Sequence, residues 1–172
     1  MNRRTWLAWA GAAAAAGVIG AGAASPTFAG QAGAQTPDEA LAKLEAGNAR
    51  FVAGKTLEPN RDIDRVKEVA PKQTPFAAFL GCADSRVPIE IIFDQGFGDI
   101  FVTRIAGNVA DPAIIGSLEF GCLVLGAKVL YVLGHSSCGA VAATMSGTAV
   151  PGQISTLYQH LRPATKAAKG DL

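Results

Sequence analysis

Excess charge of either sign is missing from this chain. Its 172 residues carry 15 Lys and Arg against 14 Asp and Glu, a formal net charge of +1. That balance gives no electrostatic reason to expect a nucleic-acid partner. Cysteine is scarce and odd in number, three in all, so a disulfide framework is not indicated. Internal repeats are absent. A strongly apolar membrane span is also missing: the one long uncharged stretch, Ala8 to Ala24, is dominated by alanine and glycine. It is weakly hydrophobic for a permanent anchor. What is present is a hydrophobic content of 49% in a length suited to one domain, enough for a real core.

The first 34 residues read as a processing segment. Asn2-Arg3-Arg4-Thr5-Trp6-Leu7 is a twin-arginine start, followed by the Ala/Gly-rich stretch and by small-residue cleavage sites at Thr27-Phe28-Ala29 and Ala32-Gly33-Ala34. The expectation is an export signal over residues 1–34, cleaved to leave a single domain over 35–172. Removal takes two arginines and no acid, and leaves no stable membrane anchor. The twin-arginine route carries folded proteins, and the expected location is periplasmic or secreted.

Two loops carry the chemistry. Phe76-Ala77-Ala78-Phe79-Leu80 is a short apolar run, read as a buried strand. It leads through Gly81 into Cys82-Ala83-Asp84-Ser85-Arg86, and Val87-Pro88 then opens a short helix to Phe93. Val129-Leu130-Tyr131-Val132-Leu133 is a second such run, ending in Gly134-His135-Ser136-Ser137-Cys138-Gly139. Ligands bind at the carboxyl ends of strands in open α/β sheets. If the two strands are parallel neighbours, Cys82, His135 and Cys138 converge there. Two thiolates and an imidazole suit tetrahedral zinc with one open position.

The remaining elements alternate. Thr36-Pro37-Asp38-Glu39 starts a helix with a cap, a proline in the first turn and acids at the positive end of the dipole. Leu41, Leu44, Phe51 and Val52 give it a partial apolar stripe, Gly47 and Asn48 weaken its middle, and Gly54 closes it. Asn60 to Ala70 reads as a charged helix with a solvated face and local ion pairs, ended by Pro71. Residues 94–99 form a turn-rich link to the strand Ile100–Ile105. Asp111-Pro112 opens a long helix from Ala113 to Leu125, and a helix begins at Cys138, whose thiolate its N-terminus favours. Ile154 to Leu161 is the last helical segment, before Pro163. Strands alternating with helices predict an α/β fold, a mostly parallel sheet flanked by helices. Cys122 is read as a small core residue, His160 as an exposed or packed histidine rather than a proton shuttle, and Asn108 as turn chemistry.

Cys-Ala-Asp-Ser-Arg, then Ser117-Leu118-Glu119-Phe120, then Gly-His-Ser-Ser-Cys-Gly-Ala-Val resemble the β-class carbonic anhydrases in order and spacing, from Thr36 to Leu161. The resemblance implies one zinc ion per chain on Cys82, His135 and Cys138. It implies a catalytic dyad of Asp84 and Arg86, and a substrate region touched by Gln73, Phe101, Phe120 and Gly139, partly across a subunit boundary. It further implies a homodimer or homotetramer acting on carbon dioxide and bicarbonate. Phe79 stands where bicarbonate-inhibited members carry tryptophan, which implies the non-allosteric type. The family usually continues beyond the position of Leu172 with another strand and helices, so a C-terminal part shorter than usual is expected. Two alternatives accompany the hydration of carbon dioxide: the same fold acting on carbonyl sulfide or carbon disulfide, and a zinc-binding module without turnover.

Overall fold

A computed structural model describes residues 36–168. The expected export signal over 1–34 lies outside the described residues. Helix α1 spans Pro37–Val52 and opens with a full capping box: the Glu39 N–H donates to Thr36 Oγ1, and the Thr36 N–H donates to Glu39. Gly47 and Asn48 do not break it. A Cβ at Gly47 would sit 1.9 Å from the Phe93 carbonyl oxygen, and Asn48 Nδ2 donates to the Ile92 carbonyl at 3.2 Å. The glycine is a contact surface, and tertiary packing outweighs its helix cost.

Three parallel strands form the sheet: β1 (Ala77–Gly81), β2 (Ile100–Arg104) and β3 (Val129–Leu133), in the order β2-β1-β3. Gly81 is in register with Arg104 on one side and Leu133 on the other, so all three strands end at one edge. β1 is buried throughout, as a central parallel strand must be. Its Phe79 meets Phe93 and Tyr131 with ring centroids 5.0 and 5.3 Å apart, and these pack with Leu44 of α1 and Ile89. Ile89 belongs to the short helix α3 (Ile89–Ile92). Among the described residues no helix is long and apolar enough to cross a membrane.

The charged segment departs from its expected role. Helix α2 is shorter, Ile63–Val69, and capped by Asp62. Lys67–Asp64 and Arg65–Glu68 are local pairs, as expected. Arg61 and Arg65, however, turn inward and donate to the carbonyls of Gln95 and Phe97. The turn-rich link they reach is a buried anionic hub. Asp94 is fully buried and accepts from Arg50 Nε at 2.6 Å and from the N–H groups of Leu57 and Glu58 at 3.0 and 2.9 Å. Asp99 accepts from Asn60 Nδ2 and the Gly96 N–H.

Burial opposes the charge on Asp94, but the Leu57 N–H, Arg50 and the Glu58 N–H outweigh it and lower its pKa. A lowered carboxyl pKa contributes stability above the unfolded value, about 3.9, that is lost as pH falls toward the folded one. Asp94→Asn is therefore expected to lower the urea midpoint at neutral pH and to flatten its decline between about pH 5 and pH 2. An unchanged midpoint at pH 7 would remove Asp94 as a structural hub.

The long helix expected over 113–125 is two structures. Asp111 caps α4 (Pro112–Glu119), and a π turn follows over Phe120–Val124, with the Leu125 N–H donating to the Phe120 carbonyl at 3.1 Å. The wide turn lays the Gly121 backbone on the Phe101 ring, where a Cβ would come within 2.7 Å. After α5 (Gly139–Ser146), helix α6 runs Thr156–Ala167 and carries Pro163 inside it, beyond the expected end at Leu161. Proline costs a helix about 3 kcal/mol. Here buried Tyr158 and Leu161 hold the helix in place, and the Tyr158 hydroxyl donates to the Thr148 carbonyl.

Candidate metal centre

The common register brings the expected ligands together. Cys82 leaves β1 one residue past Gly81, and His135 leaves β3 two residues past Leu133. Cys138 is the N-cap of α5, at the positive end of that helix's dipole. The ligand atoms of Cys82, His135 and Cys138 all lie within 4.8 Å of one another, and the two sulfurs are 3.9 Å apart. Both cysteines are buried.

The donor set fits zinc on an independent observation. His135 Nε2 is buried and has no hydrogen-bond partner, which is costly unless something satisfies it. Its other nitrogen, Nδ1, sits 2.9 Å from the Ser136 carbonyl, which only accepts. That bond places the proton on Nδ1 and leaves the Nε2 lone pair free, as a metal-binding imidazole requires. Two thiolates and one imidazole then leave a fourth tetrahedral position for solvent or substrate.

Electrostatics favour the thiolate at Cys82. Burial pushes the Cys82 thiol up, but the Gly107 N–H at 3.3 Å, His135, the Asp84 backbone and Cys138 together lower it to about 7. Interaction with the Cys82 sulfur raises the His135 pKa against burial. Metal binding must release the thiol protons of Cys82 and Cys138 and the extra proton of a charged His135. Apparent zinc affinity in competition with a chelator is therefore expected to rise with pH, by about tenfold per unit for each proton released below pH 7. A flat profile between pH 5.5 and 8 would contradict this set of ligands.

Asp84 stands beside the cluster, with Oδ2 3.8 Å from His135 Nε2. Arg86 grips it as a fork, Nε to Oδ1 at 3.0 Å and Nη2 to Oδ2 at 2.8 Å, and the Arg86 N–H adds a third bond at 2.9 Å. Those hydrogen bonds hold the Asp84 carboxyl well below the usual carboxylate range, and Asp84 in turn raises Arg86. Arg86 Nη2 also reaches the Ser137 carbonyl, tying the first loop to the second.

The substrate-region residues are not assembled within one chain. Gly139 is exposed at the start of α5, beside Cys138. Gln73 is exposed in the segment entering β1, at the opposite end of that strand from Cys82. Phe101 pairs with Ala78 near the same far end, and its ring meets Phe120 at 6.3 Å. Cys122 is half-buried and His160 exposed, both outside the cluster. Two residues to which the sequence reading gave no role in the site hold it from β2 and the turn after it. Arg104 donates from Nε to the Cys82 carbonyl at 2.9 Å and from Nη2 to the Asp84 carbonyl, and Asn108 Nδ2 donates to the Leu133 carbonyl at 2.8 Å.

Fold and centre together define a class, and comparison with known proteins agrees with it. The carbonic anhydrase family model matches residues 77–172. A carbonic anhydrase of Mycolicibacterium smegmatis is 46% identical over 132 residues, covering 74% of this chain and 64% of that protein. Carbonic anhydrase 2 of Mycobacterium tuberculosis is 43% identical over 139 residues, covering 78% and 67%. One of two tetrameric β-carbonic anhydrases from the ascomycete Sordaria macrospora matches with a TM-score of 0.56 and 25% identity, over 74% of this chain and 64% of that one. The chain belongs to the β-class carbonic anhydrases. It spans about two thirds of the length of these relatives.

Proposed function

We propose that this protein catalyses the reversible hydration of carbon dioxide to bicarbonate and a proton, with one zinc ion per chain. The observation that carries the reading is the orphaned His135 Nε2 between two buried thiols, beside a carboxylate held ionised by an arginine fork. Cys82, His135 and Cys138 would hold the ion. The chemistry a bound zinc supplies is Lewis acidity, which brings the pKa of a water from 15.7 toward about 7.

The chain's own residues do the rest. Asp84, kept as a carboxylate, accepts a hydrogen bond from the attacking oxygen and turns its lone pair toward carbon dioxide. Arg86 holds Asp84 in that role and out of the ligand set, and its link to the Ser137 carbonyl keeps both loops in step. The names of the relatives favour carbon dioxide over its sulfur analogues.

The assembly is proposed to be a homodimer or homotetramer. Supporting this, Phe120, Leu123, Leu130 and Val132 expose apolar side chains, Leu123 by 78%. A second copy would also supply Gln73, Phe101 and Phe120 from its far sheet end to this chain's centre. Export by the twin-arginine segment to the periplasm is the proposed location, supported by Arg3-Arg4 and the small-residue sites before Gln35.

The test is zinc content with stopped-flow hydration on the chain from Gln35, alongside its mass in solution. One zinc per chain with rapid hydration is the expected result. Bound zinc without hydration from about pH 6 to 9 would replace the reading with a non-catalytic zinc module.

A further inference from the structure

We propose that Arg104 is a positioning residue of this centre, acting on the backbone where Arg86 acts on the carboxylate: its guanidinium continues the β1–β2 ladder past the last strand residue and fixes Cys82 and Asp84 relative to each other. The inference rests on the carbonic anhydrase reading for its catalytic consequence, but the bracing itself does not depend on it.

The backbone ladder between β1 and β2 ends at the rung Gly81–Arg104, closed by the Ile105 N–H donating to the Gly81 carbonyl at 3.0 Å. From Cys82 onward the chain leaves the sheet to build the Cys-Ala-Asp-Ser-Arg turn. The carbonyls of Cys82 and Asp84 therefore lose the N–H groups that a longer β2 would have offered. Arg104 supplies them from its side chain, Nε to the Cys82 carbonyl at 2.9 Å and Nη2 to the Asp84 carbonyl. A planar fork that binds two carbonyls two residues apart sets the direction of the intervening backbone. It therefore sets where the Cys82 sulfur and the Asp84 carboxylate stand against each other. Lysine offers a single flexible ammonium group and no fixed fork.

The turn that follows completes the brace. The Gly107 N–H donates to the Cys82 sulfur at 3.3 Å, from a backbone φ of 73° that favours glycine. A Cβ there would meet Leu161 Cδ1 at 2.9 Å and Ala140 Cβ at 3.2 Å, so the close approach requires a bare backbone. Asn108 holds the Leu133 carbonyl, two residues before His135. One stretch, Arg104–Asn108, thus grips the exits of both ligand-bearing strands while contributing no member of the ligand cluster.

The test uses Arg104→Lys in the full chain, with three readouts. Amide exchange at Arg86 and Val87, whose N–H groups donate to the Asp84 carboxylate and carbonyl, is expected to accelerate by at least about tenfold while that of Ala77–Leu80 stays unchanged. Zinc remains near one per chain, and kcat falls by about 10- to 100-fold with KM little altered, the scale typical of groups behind a metal site's ligands. Unchanged exchange at Arg86 and Val87 would overturn the brace, and exchange that accelerates equally in β1 would reduce Arg104 to a general stabiliser. Should Arg104→Lys fail to fold, the wild-type Arg104 Nε–H decides by NMR: slow exchange supports the brace, and exchange at the rate of a free guanidinium overturns it. A wild-type chain without hydration activity would defeat the functional reading alone, leaving the exchange results to judge Arg104.

Discussion

Cys82→Ser is expected to lower zinc content from one ion per chain to a small fraction and to cost more than about 10³-fold in carbon dioxide hydration. A serine hydroxyl stays protonated where a thiol lowered to about 7 ionises, so the site loses both charge and a soft ligand. The remaining Cys138 and His135 offer only two donors, fewer than the three that hold catalytic zinc. The Gly107 N–H keeps an acceptor in the serine oxygen, so the loss falls on the metal rather than on the turn. Cys122→Ser is the control: half-buried and outside the cluster, it should leave zinc content and turnover unchanged. Metal analysis with stopped-flow assays reads both. Full zinc and full turnover in Cys82→Ser would remove this centre from consideration.

Asp84→Asn is expected to keep zinc but reduce kcat by about 10² to 10⁴, the range for a group that manages a proton in the transition state. The substitution preserves size while removing the charge that Arg86 binds and one of the two acceptor oxygens. Because Arg86 holds Asp84 well below the carboxylate range, Asp84 stays ionised throughout neutral pH. The acid limb of the wild-type activity profile should therefore belong to another group. Arg86→Ala releases Asp84 toward its ordinary value, so an acid limb of its own should move up into view. Retained turnover in Asp84→Asn would assign proton management elsewhere, and an unmoved profile in Arg86→Ala would separate the pair.

Much of this was legible in the chain because it is written in local bonding. Thr36 and Glu39 cap a helix through groups three residues apart, and Asp111 caps another. The runs Phe76–Leu80 and Val129–Leu133 announce strands by composition and by the breakers around them. Cys82, Asp84 and Arg86 lie within five residues, and the Asp84–Arg86 fork closes across a two-residue separation. The sequence alone could not assign the inward turn of Arg61 and Arg65. Charges on a short helix look solvated until the buried carboxylates of Asp94 and Asp99 are seen opposite them. Pro163 signals a helix end in any local reading, and only the packing of Tyr158 and Leu161 reverses it.

By itself, then, the sequence determined the chemistry: which residues ionise, which cap, which suit a thiolate–imidazole metal site, and that strands alternate with helices. The tertiary structure decided placement. Parallel register put Cys82 beside His135 and Cys138, left Gln73 and Phe101 toward the far end of the sheet, and gave Arg104 its two carbonyls. Register is a property of pairs distant in the chain, chosen by the summed burial of a shared core, and no local pattern carries that sum.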